Sequence, residues 1–149
     1  MKKVLPGFAL LALLVLPTEL YAHCQVPCGI YDDQLRADLI AEDITTIEKA
    51  MQEITELSGQ TPINYNQIVR WINTKEFHAG DIQEIVSEYF LTQRIKADTE
   101  KYEEKLKVLH GMLVTAMKCK QTTDPANVKE LRDLLKQFEV LYFGHSHRE

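Results

Sequence analysis

The chain has 149 residues, with 17 Lys and Arg against 22 Asp and Glu, a formal charge of −5. Hydrophobic residues at 45% and charged residues at 26% describe one folded domain and exclude disorder as the main state. The acidic balance, without a basic cluster, argues against nucleic-acid binding, and the absence of alternating Val/Ile/Thr runs argues against a β-sandwich or barrel.

The first element is a targeting segment. Met1, Lys2 and Lys3 form a basic start, and Val4 to Leu16 is an almost wholly apolar run of 13 residues. Leu20, Tyr21 and Ala22 then precede His23, which is the layout of a secretory signal peptide cleaved after Ala22. The run falls short of the roughly 20 residues that span a bilayer, so an uncleaved membrane anchor is the weaker reading. Cleavage leaves residues 23–149 as one domain, exported to the periplasm or outside the cell, with no membrane attachment. It removes Lys2, Lys3 and Glu19, leaving 15 basic against 21 acidic residues, near −6.

A short polar, Cys-bearing segment follows, 23–31, and then four amphipathic stripes. Leu35, Leu39, Ile40, Ile44, Ile47, Met51, Ile54 and Leu57 recur at spacings of three and four, ending at Ser58-Gly59. The second stretch, from about Asn64 to Ile95, carries Ile68, Trp71, Ile72, Ile82, Ile85, Val86, Tyr89 and Phe90, and Ala79-Gly80-Asp81 is a place for a break or kink. The third stripe is Tyr102, Leu106, Leu109, Leu113, Ala116 and Met117. Asp124 caps a fourth helix with Pro125 at its first position, Val128 to Tyr142 form its stripe, and Gly144 stops it. Four stripes with short connections predict an all-α, up-down-up-down four-helix bundle with an extended N-terminal hook.

The chemistry lies in the hook, His23-Cys24-Gln25-Val26-Pro27-Cys28-Gly29-Ile30-Tyr31. Pro27 and Gly29 turn the chain, so the two thiols can converge on one metal ion. After cleavage, His23 offers a free α-amine and an imidazole. That amine, the deprotonated Cys24 amide and the Cys24 thiolate form two fused five-membered chelate rings, and the Cys28 thiolate fills the fourth corner. A planar two-nitrogen, two-sulfur set favours Ni(II) or Cu(II) over tetrahedral Zn. His23 imidazole can add a fifth, axial donor.

The pattern H-C-x-x-P-C-G-x-Y at a mature N-terminus resembles the nickel superoxide dismutases, through His23, Cys24, Pro27, Cys28, Gly29 and Tyr31, followed by Asp32. Farther along, only Tyr89-Phe90 and Asp124-Pro125-Ala126 add to the likeness. The resemblance implies one nickel ion per subunit on His23, Cys24 and Cys28, with the His23 imidazole axial in the oxidised state. It implies that Tyr31 stands beside the metal and limits approach, that superoxide is disproportionated to dioxygen and hydrogen peroxide as nickel alternates between Ni(II) and Ni(III), and that four-helix subunits assemble as a homohexamer. Two departures stand out. Gln25 replaces an Asp often found after the first Cys. The family's carboxylate on the first helix, which holds the axial imidazole with an Arg behind it, aligns with Leu39 or Ile40, leaving Asp38 or Glu42 with Arg70 as candidates.

The competing expectations are plainer. The hook can carry nickel or copper in a secreted helical module without turnover, or Cys24 and Cys28 can close a disulfide. Cys119 reads as a buried or idle thiol, His78 and His110 as surface or packing residues, and Glu100, Lys101, Glu103, Glu104 and Lys105 as a solvated helix face. The tail histidines His145 and His147 read as a frayed terminus.

Overall fold

The computed structural model describes residues 26–146. They form four helices: α1 (Asp33–Ser58), α2 (Tyr65–Glu84, extended by a π-wound segment Ile85–Arg94), α3 (Tyr102–Gln121) and α4 (Pro125–Phe143). There is no strand among the described residues. Each helix packs on its neighbour in sequence, and α4 returns to α1. Side-chain pairs settle the direction. Lys49 with Trp71, Asp43 with His78 and Asp33 with Tyr89 run in opposite senses along α1 and α2. Lys75 with Cys119 and Gln83 with Leu113 do the same for α2 and α3. Lys118 with Glu130 and Lys105 with Tyr142 do so for α3 and α4, and Arg132 with Glu48 and Tyr142 with Asp33 for α4 and α1. The fold is the expected up-down-up-down bundle.

The stripes account for the core. Ile40, Ile44 and Ile47 of α1, Ile82, Val86 and Phe90 of α2, Leu109 and Met112 of α3, and Leu131, Leu135 and Phe138 of α4 are all buried. Each such side chain contributes about 1.5–3 kcal/mol by leaving water. The stripes open at their ends: Leu35 and Ile72 are exposed. Helix boundaries follow local chemistry. Asp32 caps α1 by accepting the Leu35 N–H at 3.0 Å, and Asn64 caps α2 through the Gln67 N–H. Asp124 accepts from the Ala126 N–H with Pro125 in the first turn, and Gly144 ends α4 at φ 83°. At Gly111 an added Cβ would lie 3.2 Å from Leu134, so glycine lets α3 and α4 approach closely there.

Two expectations are corrected. The helix does not break at Ala79-Gly80-Asp81, because Ala79 and Ile82 are fully buried and keep that stretch in register with the core. The irregularity comes later, where winding widens over Ile85–Arg94. Side chains there bond five residues back: Thr92 donates to Ser87 O and Gln93 to Glu88 O, and the Ile95 N–H bonds Phe90 O at 2.8 Å. Second, Lys105 is not on a solvated face. It is buried, with its ammonium 5.4 Å from the Tyr142 ring centroid. Cys119 is buried, as expected.

Candidate metal centre

His23 and Cys24, and with them the leader and its cleavage site, lie outside the described residues. The rest of the hook leads directly into α1. Val26–Gly29 is a turn closed by the Ile30 N–H on Pro27 O at 2.8 Å, with Gly29 at φ 81°. That backbone conformation suits glycine and few other residues. The turn leaves Cys28 exposed, four residues before the Asp32 cap. An exposed thiol on a turn fits a soft-donor metal site whose remaining donors come from just upstream in the chain.

Tyr31 is held from two sides. The Arg94 guanidinium carbon sits 4.3 Å from its ring centroid, and Tyr89 meets it edge-on at 5.8 Å. Both partners are fixed by one carboxylate. Asp33 accepts from Arg94 Nε and an Arg94 terminal nitrogen, each at 2.8 Å, from Tyr89 OH at 2.6 Å and from Tyr142 OH at 2.8 Å. Burial would raise the Asp33 pKa, but the hydrogen bonds from Arg94, Tyr89 and Tyr142 outweigh it and hold the carboxyl below its ordinary value. The Tyr142 hydroxyl is pushed up to about 12 by burial and by that carboxylate, and Tyr89 is raised for the same reasons. Neither phenol ionises near neutrality.

The π winding makes this constellation possible. Five residues along an α-helix turn roughly 140° away from the starting face. A ring closed five residues back brings positions five apart onto one side. Tyr89 and Arg94 therefore both reach Asp33. Arg36, on the next part of α1, lays its guanidinium 5.1 Å from the Tyr89 ring centroid, and its buried Nε has no hydrogen-bond partner among the described residues.

The family model for nickel-containing superoxide dismutases matches residues 18–146. The chain belongs to this family. It is accordingly an oxidoreductase of the superoxide dismutase class with nickel as its cofactor. A nickel superoxide dismutase of Streptomyces coelicolor is 25% identical over 122 residues, covering 82% of this chain and 86% of that protein. No solved structure matches the chain.

Against that membership the sequence-derived site divides clearly. Cys28 and Tyr31 stand together at the start of α1. Asp38 and Glu42 are exposed on α1, and Gln34 donates to the Asp38 carboxylate at 3.1 Å. Arg70 lies in the first turns of α2, roughly 28 Å along the bundle from Tyr89 at 1.5 Å per residue. Antiparallel pairing brings the end of α2 to Tyr31, where Arg94 is the cation; His23, whose imidazole Arg70 was to serve, lies outside the described residues. Asp33, Arg94 and Tyr142 escaped the sequence reading. A pair five residues apart belongs to no α-helical face, and Asp33 reads as an ordinary first-turn acid beside the Asp32 cap.

Proposed function

We propose that the mature protein begins at His23 after export and disproportionates superoxide to dioxygen and hydrogen peroxide at its N-terminal hook. The residues that would hold nickel are His23, through its α-amine and imidazole, Cys24, through its amide nitrogen and thiolate, and Cys28, through its thiolate. Nickel held there supplies a one-electron couple between Ni(II) and Ni(III), because thiolate and amidate donors make the higher state accessible. The polypeptide's part is mechanical and electrostatic. Pro27 and Gly29 turn the chain so that Cys28 faces outward. Tyr31, pinned by Arg94 and Tyr89, stands three residues from that thiol and restricts approach to small species. Arg36 and Arg94 put positive charge beside the hook of an acidic chain, where an anionic substrate arrives. Self-association into a hexamer and a periplasmic or extracellular location belong to the same reading.

The observation that carries it is the exposed Cys28 on the Pro27–Gly29 turn, three residues before a Tyr31 held by Arg94 and Tyr89. The test is a single alanine inserted before His23. The native protein should appear in native mass spectra as a chain starting at His23 with one nickel, and should turn over superoxide in pulse radiolysis. The extended protein should lose both nickel and turnover, because its α-amine no longer reaches the metal. Full nickel occupancy with the extra residue would overturn the ligand set, and a metal-free native chain two hydrogens light would favour a Cys24–Cys28 disulfide.

A further inference from the structure

A second cluster of candidate metal-binding side chains lies between α1 and α2 and contains no residue of the hook. Asp43 of α1 faces His78 and Asp81 of α2, and one donor atom from each lies within 4.8 Å of the others. His78 and Asp81 are three apart, so they share a helical face. Asp43 is only 7% exposed. Its Oδ1 is 2.7 Å from His78 Nδ1, and that is its one hydrogen-bond partner among the described residues. The Asp43 side chain also borders a cavity of about 250 Å³. Asp81, Glu84 and Glu88 line the same cavity, at spacings of three and four along α2, and among the described residues Arg36 is the one cation in its wall.

We infer that Asp43, His78 and Asp81 form a second metal site, selective for a divalent first-row cation that accepts mixed imidazole and carboxylate ligands. An ion pair between Asp43 and His78 explains one contact. It does not explain a second carboxylate brought to the same point, or a nearly buried carboxylate with one oxygen left over beside a cavity walled by further acids. Burial pushes the Asp43 carboxyl up, and the neighbouring Asp81 and Glu42 charges add to that, against the lowering effect of His78. Such a group is short of positive charge. A dication balances the two aspartates, and neutral imidazole completes a nitrogen–oxygen set suited to Zn(II), Ni(II) or Co(II) rather than Ca(II). An anion is disfavoured by four carboxylates against one guanidinium. The site adjoins the hook, since Val26 lines the same cavity, but it uses none of the hook's ligands.

The test separates the two sites by removing the first. The mature full chain carrying Cys24→Ser and Cys28→Ser is titrated with Zn(II) and with Ni(II) by calorimetry, and its thermal unfolding is followed with and without Zn(II). The expected result is one ion bound per chain and a midpoint raised by the metal. Asp81→Asn, at a partly exposed position, and His78→Gln should each weaken binding roughly tenfold or more, since even partners behind a ligand cost that much. Each should also abolish the metal-induced rise in midpoint, with circular dichroism confirming the helical fold. No binding in the hook-disabled protein, or binding that both substitutions leave unchanged, would overturn the assignment and place any residual metal on His23 or the tail histidines. The nickel chemistry of the intact hook is untouched by either outcome.

Discussion

Replacing Asp33 by Asn tests whether one carboxylate anchors the hook end of the bundle. Asn keeps the shape and removes the charge. Its single oxygen and its amide group cannot serve four donors, so Arg94 and at least one of Tyr89 and Tyr142 lose their acceptor. The Asp33 and Arg94 side chains are 17% and 28% exposed, between buried and surface pairs. Breaking a buried pair costs about 3–5 kcal/mol and an exposed one about 0–1, which places this loss at about 3 kcal/mol. That is a drop in thermal midpoint of about 10 °C for a domain of this size. The assay is urea unfolding followed by circular dichroism at fixed protein concentration, for the native chain, Asp33→Asn, Tyr142→Phe and the double variant. Tyr142→Phe alone should cost about 1 kcal/mol, and the double variant less than the sum, because both act on one network. The pH dependence carries a sign. The folded carboxyl is held below its ordinary value, so its stabilisation is complete above the unfolded pKa near 3.9 and is lost as the pH falls through the lower folded value. The gap between native and Asp33→Asn should be constant from about pH 5 to 8 and narrow below about pH 3. A gap under about 0.5 kcal/mol at pH 7, or one that does not narrow in acid, would refute the anchoring role.

Three further outcomes follow from the same geometry. Tyr31→Ala should change the rate constants of superoxide turnover in pulse radiolysis while nickel stays bound, and unchanged rates would leave Tyr31 a packing residue only. Arg36→Gln should slow turnover at low salt and flatten its ionic-strength dependence, whereas equal salt slopes would remove Arg36 from any steering role. In the reduced, metal-free protein Cys28 should alkylate rapidly at pH 8, and Cys119 should not. Burial pushes the Cys119 thiol up to about 11, which leaves roughly one thiolate in a thousand at that pH, and mass spectrometry after iodoacetamide treatment reads both sites.

The bundle was legible because its information is periodic. Stripes such as Ile40, Ile44 and Ile47 state which face is buried, and Asp124-Pro125 and Gly144 state where α4 starts and stops. The family was legible for a different reason: the residues that carry the likeness, from His23 to Tyr31, are contiguous. What surrounds Tyr31 was not legible, because Asp33, Arg94 and Tyr142 come from three places in the chain. Arg70 lies at the far end of α2 from Tyr31, because α2 returns antiparallel and brings Arg94 there instead. The bond that His78 makes was not legible for a related reason. Its significance depends on Asp43, 35 positions away and on the opposing helix.

These placements share one physical logic. Among the described residues, Val26–Asp32 ahead of α1 form a turn and no helix, so the placement of Cys28 depends on how firmly the downstream end of that segment is fixed. That end is tied three ways: Asp32 caps α1, Asp33 one residue later joins the π-wound end of α2 to α4, and the groups so joined clamp Tyr31. A regular α-helix at Ile85–Arg94 would present either Tyr89 or Arg94 to Asp33, and Tyr31 would lose either its edge contact or its cation. The unusual winding is therefore the feature that converts an ordinary antiparallel bundle into a rigid mount for the hook. It sits at the end of the bundle where α1 begins and α4 ends, beside Val26–Tyr31.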